Sequence, residues 1–149
     1  MEKILVIGSG GREHALGHKL KSPHRQLFFA PGNGGTCQKG TNVEIDPNDT
    51  ERLLGFAVDN HVNLAVVGPE GPLTNGVVDA FQERRINIFG PTQEAAKLEA
   101  DKAWATDFMQ RHNIPHPTSH IFSNQDAAIA FILSSDSSNG TITSLKNLF

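Results

Sequence analysis

Short apolar runs alternate with amphipathic segments over the first 90 residues of the chain. The runs are aliphatic and most of them end near glycine or proline, which is typical of strands buried in a parallel sheet. Predicted strands lie at Lys3–Ile7, Gln26–Ala30, Val43–Ile45, Leu64–Val67 and Asn87–Phe89. Strands that alternate with helices predict an α/β fold, a Rossmann-like doubly wound parallel sheet with right-handed crossovers.

Three helices are predicted between these strands. The first runs from about Arg12 to Lys21, the second begins at a capping-box spacing between Asn48 and Glu51, and the third spans about 75–85. The positions expected on their apolar sides are Ala15, Leu16, Leu20, Leu53, Leu54, Ala57, Val58, Val77, Val78 and Phe81.

The pattern changes after the last predicted strand. Residues Gln93–His112 are nearly all helix formers, with an amphipathic helix at Asp101–His112 in which Trp104 and Phe108 are expected to pack in the core. An extended stretch and a short apolar helix at Asp126–Leu133 follow. From Ser134 the chain is rich in serine and is predicted to be poorly ordered. The predicted domains are therefore 1–100, 101–133 and a tail at 134–149.

Composition narrows the function classes. The chain has 149 residues, 38% hydrophobic and 19% charged, with a formal net charge of −3, so it has no overall basic field for nucleic acid. No run approaches the ~18 apolar residues of a membrane span. The single cysteine, Cys37, excludes an internal disulfide and is expected to be inert. The short apolar start is wrong for a signal peptide, which predicts a cytoplasmic protein.

Four glycine-containing loops follow the predicted strands: "GSGG", "PGNGG", "GPEGP" and "GPT". Ligands of open α/β sheets bind at the carboxyl ends of the strands, so convergence of these loops predicts a site there. The loop Gly8–Gly11 leads into a helix, whose N-terminus suits an anion, and Arg12 adds a guanidinium that can clamp a phosphate. The alternative is that these glycines only make a tight turn.

The same loop partly matches the dinucleotide fingerprint G-x-G-x-x-G. Glu13 stands where the third glycine belongs, and no carboxylate follows the second strand, so a nicotinamide or flavin cofactor is disfavoured. Glu13 and His14 are open to a second interpretation, as solvent-facing residues of the first helical turn. Glu70 could accept hydrogen bonds from a sugar or an amine, or be a loop acid in water. Asn33 could equally only make its turn.

Metal binding is not predicted. His14 and His18 lie four residues apart, but the order is not that of a zincin motif and no third ligand is evident. His112, His116 and His120 lack ligand spacing and are expected at the surface.

Taken together, "VIGSGGREHAL", "APGNGGT", "VVGPEGPL" and "IFGPT…AAKLEADKAWATDFMQRHNIPHPT" resemble the phosphoribosylamine–glycine ligases of purine biosynthesis, which belong to the ATP-grasp superfamily. The resemblance runs from residue 3 to about residue 133. It implies that residues 1–100 form the pre-ATP-grasp domain and that residues 101–133 begin an incomplete ATP-grasp domain.

The resemblance also implies a reaction and a set of binding residues. ATP, with Mg²⁺ or Mn²⁺, would phosphorylate glycine, and the amine of 5-phosphoribosylamine would attack the resulting glycyl phosphate. Gly10, Gly11 and Arg12 would hold the 5-phosphate, and Lys102 would reach the phosphates of ATP. The residues implied in substrate binding are Gly8, Gly10, Gly11, Arg12, Glu13, His14, Asn33, Gly68, Pro69, Glu70, Pro72 and Leu73.

The sequence departs from the family after Leu133. The lysine strand, the glycine-rich loop over ATP and the acidic magnesium ligands do not follow, so the catalytic residues are expected outside this chain, which is predicted to be inactive as a ligase by itself. Two hypotheses remain open: a portion of a longer ligase, or a short truncated or splice product that binds phosphoribosylamine or a full-length partner without turnover.

Overall fold

The computed structural model describes residues 1–134, and its sheet has five parallel strands. They are β1 (Glu2–Gly8), β2 (Arg25–Pro31), β3 (Thr41–Asn42), β4 (Leu64–Val67) and β5 (Ile88–Phe89). Their order across the sheet is β3-β2-β1-β4-β5. This is the order of a Rossmann-type sheet, and the predicted doubly wound α/β fold is confirmed.

Seven α-helices are described in residues 1–134. They are α1 (Gly11–Leu20), α2 (Thr50–Asp59), α3 (Glu70–Thr74), α4 (Val77–Glu83), α5 (Gln93–Ala100), α6 (Lys102–Arg111) and α7 (Gln125–Ser134). The chain divides into two compact units, Met1–Ala100 and a second that begins at Asp101. None of the helices within residues 1–134 has the length and apolar character needed to cross a membrane.

The core of the first unit lies on both faces of the sheet, because successive strand side chains point to opposite sides. On one face, Leu5 and Ile7 of β1 pack with Leu53 of α2 and Phe81 of α4. On the other face, a second cluster is covered by Leu16 and Leu20 of α1. The second cluster contains Ile4, Val6, Leu27, Phe29 and Val66.

The third strand was predicted two residues too late. The pairing with β2 is made by Thr41 and Asn42, and the chain then curls, because the Ile45 N–H donates to the Val43 carbonyl at 2.8 Å. Val43 still donates its N–H to the Phe29 carbonyl of β2, at 2.8 Å, but the side chains of Val43 and Ile45 are apolar because they pack on the core.

The predicted apolar faces of the first two helices are confirmed except at Ala15 and Val58, which are exposed. In α1 the buried residues are Glu13 and Gly17, and Ala15 is exposed. In α2 the side chain at the N-cap is Asp49 rather than Asn48, and it accepts the Arg52 N–H at 3.1 Å. Val58 of the same helix is exposed as well. The inward positions Val77, Val78 and Phe81 of α4 are confirmed.

The predicted helix over about 75–85 is α4, and a short helix that the sequence did not predict, α3, precedes it. Gly76 separates the two, with a φ of +79° that breaks the helical path. The helix-forming stretch Gln93–His112 forms α5 and α6. Asp101 between them is extended, at φ −120° and ψ 99°, and its carboxylate caps α6 by accepting the Trp104 N–H.

The second unit contains α6 and α7. Trp104 and Phe108 are half-buried rather than core residues and stack on each other, with ring centroids 5.3 Å apart. Phe131 of α7 contacts His120, at 4.3 Å between ring centroids. The predicted serine-rich tail, apart from Ser134, lies outside the described residues.

Candidate functional site

The loops after β1 and β4 meet at the carboxyl edge of the sheet. β1 and β4 are adjacent although they are not consecutive in the chain, and between them the strand order reverses. In open α/β sheets this switch point forms a crevice in which ligands bind. The loops that border it are Gly8–Gly11 and 68–70, as the sequence predicts.

Gly8 ends β1 where the chain turns close to Glu13 and Pro69. Its φ is +125°, a conformation that residues with a side chain rarely adopt, and a Cβ there would lie 2.8 Å from both Glu13 and Pro69. The turn therefore needs glycine for its geometry and for the close approach of the β4 loop.

Helix α1 begins at this switch point without a side-chain cap. Gly10 occupies the N-cap position and has no side chain to offer, and the helix provides no acceptor for the first N–H groups, those of Gly11 and Arg12. Gly11 is exposed, and a Cβ on it would meet nothing within 4 Å. Unpaired N–H groups and the positive end of the helix dipole suit an anion in this space.

Glu13 is buried, with 4% of its surface exposed, and is not the solvent-facing residue that the sequence left open. Its carboxylate accepts the Gly10 N–H. A Cβ on Gly68 would lie 1.7 Å from Glu13 Oε1, so the side chain fills the space under the β4 loop. Glu13 therefore contacts both the loop after β1 and the loop after β4, and the Gly10 N–H is already hydrogen-bonded within the protein.

Arg12 links the start of α1 to the loop after β4. Its guanidinium donates a hydrogen bond from Nη1 to the Gly68 carbonyl, and the side chain remains exposed. A guanidinium carries five N–H donors, so this contact fixes its position while leaving donors for an anion at the start of α1.

Asn33 fastens the loop after β2 to the loop after β1. Its Nδ2 donates to the Ser9 carbonyl at 2.7 Å and to the Gly10 carbonyl at 3.2 Å. Its Oδ1 accepts the N–H groups of Gly35 at 2.7 Å and Thr36 at 3.1 Å. The side chain thus holds two segments of backbone together, Ser9–Gly10 and Gly35–Thr36.

The β4 loop differs from its prediction because it enters a helix at once. Pro69 is the N-cap of α3 and Glu70 its first residue, with an exposed carboxylate. Pro72 is fully buried, and Leu73 packs on the core. The contacts of Pro72 and Leu73 are packing contacts, and their role in substrate binding stays a prediction.

The remaining predicted residues are placed as follows. His14 is half-buried and faces Gly35 of the β2 loop, where a Cβ would lie 3.1 Å from Nε2. Lys102 is the exposed first residue of α6, in the second unit. Over residues 1–134, no group of three or more His, Cys, Asp or Glu side chains is placed to hold a metal ion.

The sequence analysis missed two residues that support the site, Thr36 and Asn42. Thr36 is fully buried, and its hydroxyl lies 2.8 Å from Asn42 Oδ1 and 2.9 Å from the Asn33 carbonyl. Asn42 Nδ2 also donates to that carbonyl, at 2.9 Å. Asn33 Oδ1 accepts the Gly35 N–H two residues on, and this Asx-turn pattern of an Asn before glycines could have indicated the turn in which Thr36 lies.

A parallel α/β unit with a glycine loop before a helix at its switch point is an architecture on which many nucleotide- and phosphate-binding domains are built. A sequence model described as "Phosphoribosylglycinamide synthetase, N domain" matches residues 2–99. The chain belongs to this family.

Several curated relatives are named phosphoribosylamine–glycine ligase. The chain is 49% identical over 133 residues to a phosphoribosylamine–glycine ligase of Pasteurella multocida and 48% identical over 134 residues to one of Escherichia coli O157:H7. These matches cover 87% of this chain and 31% of each relative, so the chain spans less than a third of their length.

Solved structures agree on the fold. The phosphoribosylamine–glycine ligase of Thermotoga maritima matches with a TM-score of 0.58 and 30% identity, over 78% of this chain and 26% of that one. The N5-carboxyaminoimidazole ribonucleotide synthetase of the same organism gives 0.66 at 15% identity, over 88% of this chain and 36% of that one, which shows a shared fold alone.

Proposed function

We propose that residues 1–100 bind the phosphoribosyl substrate of a phosphoribosylamine–glycine ligase, with its 5-phosphate at the start of α1. The observation that carries the proposal is the uncapped first turn of α1 beside the exposed Arg12, in a chain that belongs to this ligase family. The phosphate would accept hydrogen bonds from the Gly11 and Arg12 N–H groups and from the Arg12 guanidinium.

The sugar and its amine would extend from the phosphate toward the β4 loop. Glu70 is the exposed carboxylate at that end, and its oxygens can accept hydrogen bonds from an amine or from ribose hydroxyls. Gly68 and Pro69 would border the ligand through their backbone. His14 lies on the other side of α1, facing the β2 loop.

The complete reaction would join glycine to phosphoribosylamine at the expense of ATP, by way of the glycyl phosphate that the family resemblance implies. The described residues do not supply the acidic ligands that Mg²⁺ prefers, so no step through ATP or the metal is assigned to them. Lys102 is the one residue of the second unit proposed to meet ATP phosphates. Substrate binding, rather than turnover, is the function proposed for the chain by itself.

Isothermal titration with glycinamide ribonucleotide, the stable product, tests the proposal. We expect binding by the full chain and a loss of about 10- to 100-fold in Arg12→Ala, since a hydrogen bond to a charged group is worth about 1.5–3 kcal/mol.

Arg25→Ala is the matched control. Arg25 is an exposed arginine at the start of β2, at the opposite edge of the sheet, where it pairs with Glu2. Equal losses in both variants, or no binding by the wild type, would contradict the proposal. Tight binding of NADH in a parallel titration would instead support a dinucleotide domain.

A further inference from the structure

Asn33 has no hydrogen-bonding capacity left for a ligand. An asparagine side chain offers two N–H donors and an oxygen with two lone pairs. Both donors are engaged, by the Ser9 and Gly10 carbonyls, and both lone pairs are engaged, by the Gly35 and Thr36 N–H groups. A sugar or amine could reach this amide only by displacing one of these backbone partners.

The orientation of the amide follows from the same four contacts. Two backbone N–H groups face the oxygen and two backbone carbonyls face the nitrogen, so turning the group over would oppose donors to donors and acceptors to acceptors. The side chain therefore has one arrangement in which every contact is satisfied.

The partners of Asn33 lie directly before the proposed phosphate position. The Gly10 carbonyl also accepts the His14 N–H at 3.2 Å, and the Gly10 N–H donates to Glu13. Every polar backbone group of Gly10 is thus held from within the protein. The next N–H groups, of Gly11 and Arg12, belong to the first turn of α1, which has no side-chain cap at Gly10.

A second layer supports Asn33 itself. Its N–H donates to Thr36 Oγ1 at 2.7 Å, and its carbonyl accepts from Asn42 Nδ2. Thr36 is fully buried, so this layer is anchored in the interior. The loop after β2 can hold the loop after β1 because it is itself fixed to β3.

From these contacts we infer that Asn33 is a positioning residue, which fixes the Ser9–Gly10 backbone so that the Gly11 and Arg12 N–H groups are ready for a phosphate. It does not touch the sugar or the amine. The inference rests on the proposed function and corrects the assignment of Asn33 to the substrate contacts. The same side chain would serve any ligand with a terminal phosphate, since its effect passes through the phosphate position alone.

Two ligands separate positioning from contact in the full chain: glycinamide ribonucleotide, and inorganic phosphate, which lacks the sugar and the amine. The variants are Asn33→Ala and Asn33→Ser. Serine is neutral and can keep part of the turn by accepting the Gly35 N–H, but it is too short to reach Ser9. The control is Asn87→Ala, which removes a single bridge between loops at the opposite edge of the sheet, from Asn87 Nδ2 to the Asn63 carbonyl.

Affinities would be measured by ¹H–¹⁵N NMR titration below the thermal midpoint of every variant. We expect both Asn33 variants to lose about tenfold in affinity, and by the same factor for the two ligands, whereas Asn87→Ala keeps the wild-type values. Loss for the ribonucleotide alone would show direct contact and overturn the inference. Unchanged affinities with a lowered thermal midpoint would show a merely structural role and overturn it as well.

Two further results complete the test. If neither Asn33 variant folds, an Overhauser contact between the Asn33 side-chain amide and ribose protons in the wild-type complex overturns the inference, and its absence alongside contacts to Arg12 supports it. A wild-type chain that binds neither ligand overturns the proposed function itself, and the inference falls with it.

Discussion

Replacing Gly68 by alanine should disturb the site through Glu13. The backbone of Gly68 is not left-handed, so alanine is permitted by φ, and the cost comes from the Cβ, which would lie 1.7 Å from Glu13 Oε1 and 2.5 Å from Cδ. Because Glu13 is buried, its carboxylate cannot swing into water without giving up the Gly10 N–H.

The magnitude follows from two losses. Overpacking a tight site costs about 1–3 kcal/mol, and a hydrogen bond to a charged group is worth about 1.5–3 kcal/mol. We therefore expect Gly68→Ala to lower the free energy of unfolding by about 2.5–6 kcal/mol. Glu13→Ala should cost about 2–3 kcal/mol by itself, because it removes the acceptor of the Gly10 N–H.

The double variant distinguishes this mechanism from a general defect. With Glu13 already removed, the added methyl group at Gly68 has room, so Gly68→Ala/Glu13→Ala should be about as stable as Glu13→Ala alone. The two single changes would then be coupled by about 2 kcal/mol or more, as expected for residues in contact. Urea unfolding followed by far-UV circular dichroism gives all four free energies.

Gly55→Ala is the matched control for the assay. Gly55 lies within α2, and a Cβ there would meet nothing within 4 Å, so alanine should stabilise the protein by about 0.5–1 kcal/mol. Free energies that add within about 0.5 kcal/mol for Gly68→Ala and Glu13→Ala would refute the contact between the loop and the buried carboxylate.

Two further substitutions test places where the structure differs from the prediction made from the sequence. Gly17→Ala should lower the free energy of unfolding by about 1–3 kcal/mol, although alanine has the better helix propensity, because a Cβ there would lie 2.6 Å from the Phe29 ring. A variant that is more stable than the wild type in urea unfolding would show that α1 does not pack against Phe29 at this position. Asp49→Ala should lower the free energy of unfolding by about 1 kcal/mol, because the hydrogen bond from the Arg52 N–H is lost. Asn48→Ala should lower it by less. The reverse order would show that Asn48 is the N-cap residue of α2.

The sheet could be predicted from the sequence because its signals are local. The buried runs of β1, β2 and β4, and the glycines that end them, are contiguous in the chain. The position of β3 was harder to predict. Val43 and Ile45 carry the apolar signal of a strand, but it reflects burial, and only the pairing of Asn42 with Phe29 shows where the strand lies.

The contacts that build the site join residues that are distant in the chain, and local sequence patterns do not predict them. Glu13 meets Gly68, and Asn33 meets Ser9, because the carboxyl ends of neighbouring parallel strands lie side by side. The first-turn position of Glu13 is typical of a solvent-facing acid. Its burial follows from the missing side chains at Gly8 and Gly68, which no helical periodicity reveals.

The most direct measurement is the map of backbone amide shifts when glycinamide ribonucleotide is added to the ¹⁵N-labelled chain. If the phosphate lies at the start of α1, the largest changes should fall on the amides of Gly11 and Arg12, with smaller ones on Gly68 and Glu70. Inorganic phosphate should reproduce the changes at Gly11 and Arg12 alone. Changes confined to the first turn of α2, or none on saturation with the ribonucleotide, would contradict the proposed site.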